Sequence, residues 1–317
     1  RTSSARKNKE TGAEKEDSFS ALCRDAHRSG MKVILDGVFS HTGSRSRYFQ
    51  SAVSDPDSPY RSWYQFRHYP DSYESWWGIT TLPCLNKQES AYLDYLIRNE
   101  DSVVAHWLRA GADGWRLDVV DELPDELVLA LKRRIREVKP DALLLGEVWE
   151  DASNKIAYGR RRRYFLDGEL DAVMNYPLKN ALLAYLTGKD DGSALGETLW
   201  TLLENYPQDV LQCCMNLLGS HDTARILTAL TGGGNGTREE EAARPPLPPD
   251  VRRAAVSRLR VASLLQFALP GAPSIYYGDE AGMEGGKDPF NRACFPWGEE
   301  DAALLRHFRA LGALRQE

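Results

Sequence analysis

The sequence predicts an α/β fold of the β/α-barrel kind, and three observations carry that expectation. Short apolar runs end in polar residues at Lys32–His41, Gly114–Val120, Ala142–Trp149 and Asn216–Asp222. Most of them lead, sooner or later, into an amphipathic stretch of helical period, the alternation of parallel strands and crossover helices. The chain has 317 residues, 42% of them hydrophobic, which suits one barrel with an inserted subdomain. In a barrel of that kind, polar residues at the carboxyl ends of several strands converge on one catalytic mouth.

Taken in order, residues 1–15 (Arg1 to Lys15) mix basic and acidic side chains without an apolar period and are expected to be poorly ordered. A helix is expected from about Asp17 to Ser29, with Phe19, Leu22, Cys23 and Ala26 on one face and Gly30 ending it. Strands are expected near 33–38, 113–118, 142–147, 171–175, 213–219 and 273–277. The first is followed by a long insertion, 42–99, rich in Ser, Pro, Asp and aromatics, including Trp63-Tyr64 and Trp76-Trp77-Gly78. Loops of that length are usually functional. A helix from about Glu89 to Ala110 returns the chain to the barrel, which takes up 1–41 and 100–317. Gly232–Gly236 and the proline-rich Arg244–Pro249 are expected to form a flexible excursion. Helices follow at Asp250–Ala268 and Glu299–Gln316. The basic run Arg160–Arg163 reads as a solvated face.

The chemistry centres on Gly114-Trp115-Arg116-Leu117-Asp118, where an arginine and a carboxylate two residues apart project from the same face of a strand. The guanidinium favours the ionised carboxylate, which suits a nucleophile. A salt-bridged strand end fits the same residues, and on this run alone the two readings stand level. Recurrence of polar strand ends at His41, Glu147 and His221-Asp222 favours the catalytic one.

In order and spacing the four runs resemble the four signature regions of the α-amylase superfamily, glycoside hydrolase family thirteen. Leu82-Pro83-Cys84-Leu85-Asn86 resembles the extra motif of its neopullulanase, cyclomaltodextrinase and maltogenic amylase members. Gly271–Glu280 resembles the family's last barrel strand and its loop. The resemblance covers nearly the whole chain and implies a TIM-type (β/α)8 barrel, here incomplete. Strands three to eight are present, with the family's small subdomain inserted after the first of them. Two upstream strands and the C-terminal β-sandwich are expected to be missing.

The resemblance also implies roles. Hydrolysis of a glycosidic bond needs two carboxylates, about 5–5.5 Å apart when configuration is retained. Asp118 takes the place of the nucleophile and Glu147 that of the general acid/base. Glu147 lies in an apolar strand near Trp149 with no adjacent cation in sequence, so its pKa is expected to be raised. Glu150 competes for that role, but the family motif places the acid directly after the strand's glycine. Asp222 resembles the third carboxylate, which holds sugar hydroxyls, and His221 and His41 resemble the histidines that donate to them. Arg116 orients Asp118, Trp149 lies on the substrate side, and Asp36 is expected to be structural, bonded to Arg116 or nearby backbone. Arg292 has two readings, a sugar contact or a brace for its loop. The first region departs from the family pattern, with Ser40 where Asn is usual. Calcium, which needs several oxygen ligands, is therefore not expected at that position, and neither a metal nor another cofactor is required.

A net charge of −6 gives no reason to expect nucleic acid or an anionic membrane as partner. Eight Trp and fourteen Tyr suit sugar stacking as well as core packing. Five cysteines, odd in number and without zinc spacing, read as reduced thiols of a cytoplasmic protein. No signal peptide or long apolar span is visible. The implied activity is cleavage of α-1,4 bonds in maltodextrins and cyclomaltodextrins, with pullulan a further substrate, by a chain monomeric by default and homodimeric where a full-length protein dimerises. An α-glucosidase or transglycosylase is the enzymatic alternative. A non-catalytic amylase-like sugar-binding protein or an inactive fragment is the other.

Overall fold

Three parallel strands organise the first of the two units into which the chain divides. The computed structural model describes residues 12–166 and 168–316. The first unit runs to Glu147 and includes Arg162–Asp171; the second comprises Val148–Arg161 and the chain from Ala172 onward.

In the first unit, helix α1 (Gly12–Arg28) ends at Gly30, whose φ of 73° lets Met31 N–H reach back to the Ala26 carbonyl. Strand β1 (Ile34–Gly37) follows. Helix α2 (Arg47–Ser54) and the hairpin β2 (Phe66–His68) and β3 (Ser72–Tyr73) fall within the insertion. Its core is aromatic: Phe49 packs on Tyr64 and Tyr73, and buried Trp63 on Tyr48, Tyr60, Tyr92 and Tyr95. Rings supply most of the buried area where strand and helix are short. After α3 (Ser90–Leu93) and α4 (Val103–Arg109) come β4 (Gly114–Leu117), helix α5 (Asp125–Val138) and β5 (Leu143–Gly146). Strand β4 lies between β1 and β5 and is buried throughout, as the central strand of a parallel sheet should be. Gly114 permits the close approach: a Cβ there would lie 2.4 Å from the Leu143 carbonyl oxygen. Helix α5 buries Leu127, Val128, Leu131 and Ile135, and its Lys132 and Arg136 hold Asp171, which caps the Leu144 N–H at 2.8 Å.

The second unit opens with the hairpin β6 (Ile156–Ala157) and β7 (Arg160–Arg161), then β8 (Ala172–Val173) and helices α6 (Tyr176–Leu186), α7 (Gly192–Asn205) and α8 (Gln208–Cys213). Strand β9 (Met215–Leu217) follows, bridged in parallel by Met174 just after β8. Beyond it lie α9 (Ile226–Ala229), α10 (Arg238–Ala242), α11 (Pro249–Ala268), β10 (Ala272–Ser274) and α12 (Ala302–Gln316). Strand β10 pairs in parallel with β9. Gln266 on α11 donates to the carbonyls of Asn216 and Ser274 at 2.8 and 2.7 Å, fastening the helix to both strands.

Each expected strand is present within two residues of its expected start. Parallel strands and helices make the chain α/β, as expected. The helix expected over 89–110 is instead α3, a π-turn (Asp94–Arg98), a break at Asn99–Ser102 and α4. Its cause is local: Asn99 N–H closes on Asp94 O, and the polar run that follows favours turns over helix. Of the stretch expected to be disordered, 12–15 begin α1, while 1–11 lie outside the described residues. The Gly/Pro excursion is held by a capping box between Thr237 and Glu240 and by buried Glu241, which takes Arg244 bidentately at 2.6 Å and the Gly236 N–H at 2.7 Å. Helix α12 starts later than expected, at the residue after Asp301, whose carboxylate accepts the Ala303 and Leu304 N–H groups.

Candidate active site

In the first unit the strand ends gather charge. Arg116, on β4, points from the sheet with its flanks buried, and three carboxylates meet its guanidinium. Nη1 donates to Asp36 at 2.7 Å and to Asp118 at 2.9 Å, and Nη2 lies 2.8 Å from Glu147. The register explains this: Asp36 pairs with Arg116 across β1 and β4, and Leu117 with Gly146 across β4 and β5, so Asp118 and Glu147 leave adjacent strand ends. Burial disfavours the Arg116 charge, but Glu147, Asp36 and Asp118 outweigh it and hold the guanidinium above its ordinary pKa.

Glu147 is 2% exposed, and its Oε2 also accepts the Val119 N–H at 2.8 Å. Its immediate sequence neighbours include no cation, but Arg116, remote in sequence, stands beside it in space. Val119 aims its N–H from a left-handed backbone, φ 36°, which a β-branched residue resists.

His41 sits past β1, and burial holds its pKa below the ordinary value while nearby Asp118 works the other way. Its Nδ1 lies 2.8 Å from the hydroxyl of fully buried Ser40. The Leu82–Asn86 run fixes the same turn. His41 and Cys84 pair in antiparallel fashion, Leu85 N–H donates to Ser40 O and Thr42 N–H to Pro83 O. Ser40 as an anchor for His41 was not legible in the sequence, where it stood only as a departure from a motif.

In the second unit the turn after β9 carries His221 and Asp222, 3.3 Å apart as a pair. Arg292 Nη2 lies 3.5 Å from Asp222 and its Nε 2.5 Å from Asp288, so the arginine braces its own loop against that turn. Asn291 is the residue the sequence did not reveal. Fully buried, its amide donates to the carbonyls of His221 at 2.7 Å, Thr223 at 2.8 Å and Ser220 at 3.3 Å. It stands beside Arg292 in the sequence, but nothing local separates a clamp from an ordinary loop asparagine. Trp149 also belongs to this unit and stacks on Tyr176, centroids 4.1 Å apart at 11°.

The structure thus brings Asp36, His41, Arg116, Asp118 and Glu147 into the first unit, and Trp149, His221, Asp222 and Arg292 into the second. Among the described residues no group of three or more His, Cys, Asp or Glu is arranged to hold a metal ion, and no helix is long and apolar enough to cross a membrane.

Comparison with known proteins adds a family match: the profile described as alpha amylase, catalytic domain, matches residues 11–307. An amylopullulanase of Thermoanaerobacter thermohydrosulfuricus is 38% identical over 340 residues, covering 94% of this chain and 22% of that protein. A cyclomaltodextrinase of Geobacillus thermopakistaniensis is 32% identical over 312 residues, covering 95% of this chain and 47% of the relative. Among solved structures, the type III pullulan hydrolase from Thermococcus kodakarensis superposes with a TM-score of 0.80 at 32% identity, covering 95% of this chain and 50% of that one. The chain therefore spans half or less of the length of these relatives.

Proposed function

The chain belongs to the alpha-amylase catalytic-domain family, and from that premise we propose that it is a retaining glycoside hydrolase acting on α-1,4-glucosidic bonds of maltodextrins, cyclomaltodextrins and pullulan. The observation that carries the reading is the single guanidinium of Arg116 shared by Asp118 and Glu147. It supports two carboxylates held close together, as a retaining double displacement requires.

Asp118 attacks the anomeric carbon as that carbon's bond to the leaving oxygen breaks, and Glu147 transfers its proton to that oxygen. The glycosyl–Asp118 ester then forms while Glu147 is a carboxylate. Water attacks the same carbon, Glu147 takes the water's proton, and the sugar departs with its configuration retained and Asp118 regenerated. Arg116 orients Asp118 through its 2.9 Å hydrogen bond and sets one positive charge beside both carboxylates. His41, with Nδ1 held by Ser40, presents Nε2 to a sugar hydroxyl. By their resemblance to the family's signature residues, Asp222 and His221 are assigned to sugar hydroxyls and Trp149 to a sugar's apolar face, while Arg292 steadies Asp222.

Calcium does not fit beside Ser40: the short side chain spends its oxygen on His41 Nδ1 and brings no carbonyl in place of the family's asparagine. The function test is product analysis after incubation with γ-cyclodextrin, pullulan and soluble starch, with Asp118→Asn alongside. Retained-configuration maltooligosaccharides that vanish in the variant support the proposal; equal turnover by both proteins overturns the assignment of Asp118.

A further inference from the structure

We propose that Trp77 is a sugar-stacking platform for a glucose unit remote from the bond being cut, and so sets the preference for long over short α-glucans. The inference rests on the glucan-hydrolase reading above.

Trp77 is 71% exposed, an unusual state for the largest apolar side chain. It is not a loose ring. Its indole lies parallel on Trp76, centroids 4.3 Å apart at 11°, and its Nε1 donates to Glu122 at 3.1 Å. Trp76 in turn leans on His41, centroids 5.4 Å apart. One face of Trp77 is therefore spent on Trp76 and its polar edge on Glu122, while the opposite face is presented outward.

The backbone that presents it is strained and braced. Trp77 has φ 49° and ψ 32°, a left-handed conformation, and Gly78 after it has φ 79°. A tryptophan gains nothing intrinsic from that geometry, which disfavours any side chain with a Cβ. The surrounding loop enforces it: Ile79 N–H donates to Trp76 O, Leu82 N–H to Ile79 O, Trp76 N–H to Leu82 O, and the Tyr73 hydroxyl to Thr80 O. Strain held by so many bonds, ending in an exposed flat ring, is the pattern of a preorganised ligand contact.

The ligand follows from the ring and its place. An indole face takes the apolar C–H face of a pyranose, and the run His41, Trp76, Trp77 continues outward from a residue assigned to the reacting sugar. Trp76 fills the layer between, so a pyranose on Trp77 is a different unit from the one His41 touches. A short substrate does not reach it.

The test compares kcat/KM on maltoheptaose with kcat/KM on a short aryl maltoside, for the protein, Trp77→Ala and Trp77→Phe. The ratio of long to short should fall roughly three- to tenfold in Trp77→Ala, through KM, and recover most of its value in Trp77→Phe. An unchanged ratio overturns the proposal, and so does an equal loss on both substrates. Calorimetric titration of maltoheptaose into Asp118→Asn, with and without Trp77→Ala, separates this from failure of the hydrolase reading. If no substrate is turned over, weaker binding in the double variant still supports the platform; equal or undetectable binding overturns it.

Discussion

The two units organise their strand ends by opposite means. In the first, a cation is the centre: Arg116 draws Asp36, Asp118 and Glu147 onto one guanidinium. In the second, a neutral amide is the centre: Asn291 ties down the carbonyls of Ser220, His221 and Thr223 and leaves the side chains of His221 and Asp222 half exposed. The first arrangement fixes charges and the second fixes a backbone. Groups that must change protonation or form a bond gain from a fixed field around them, whereas groups that only hold hydroxyls need a rigid turn and open side chains.

The sharpest way to break that division is by chemistry. Asp118→Asn should lower kcat by about 10⁴-fold with little change in melting temperature. Glu147→Gln should cost about 10²- to 10⁴-fold on natural linkages and far less on activated aryl glycosides. Equal losses on both substrate types would remove the proton-donor role. Next comes the hub itself. Arg116→Gln leaves three carboxylates without their counter-charge, one of them nearly fully buried, and should destabilise folding by about 3–5 kcal/mol by denaturant titration. Asn291→Ala should cost less, about 2 kcal/mol, because the carbonyls it abandons are neutral. If Asn291→Ala proved the more damaging, the contrast between a charged and a neutral centre would fail. The smallest expected effect is none: a chelator should leave the melting temperature unchanged, and a large drop would show that calcium binds elsewhere in the protein.

Much of this was legible in the sequence, for physical reasons that also mark where legibility stopped. Strands β4, β5 and β9 announce themselves because a strand buried on both faces must be continuously apolar, and its polar end is then conspicuous; β1 stands out by its apolar run alone, with Ile34 and Asp36 exposed. The pair Arg116 and Asp118 was visible because alternation along one strand puts both on one face. Glu147 against Arg116 was not, since the contact depends on parallel register between β4 and β5, which no local pattern encodes. Asn291 escaped for the same reason at longer range: it acts on a turn some seventy residues earlier in the chain. The interruption between α3 and α4 was hidden by a helical apolar period that continues across it.

The left-handed backbone of Val119 has a further consequence, for protein engineering. A selection for thermal robustness alone should favour glycine at position 119, since glycine accepts φ 36° without the clash a branched side chain suffers. A selection for turnover should resist it, because the Val119 N–H that meets Glu147 Oε2 would then hang from a looser hinge. Two directed-evolution campaigns started from this one sequence, one heated and one fed, would be expected to part company first at that residue.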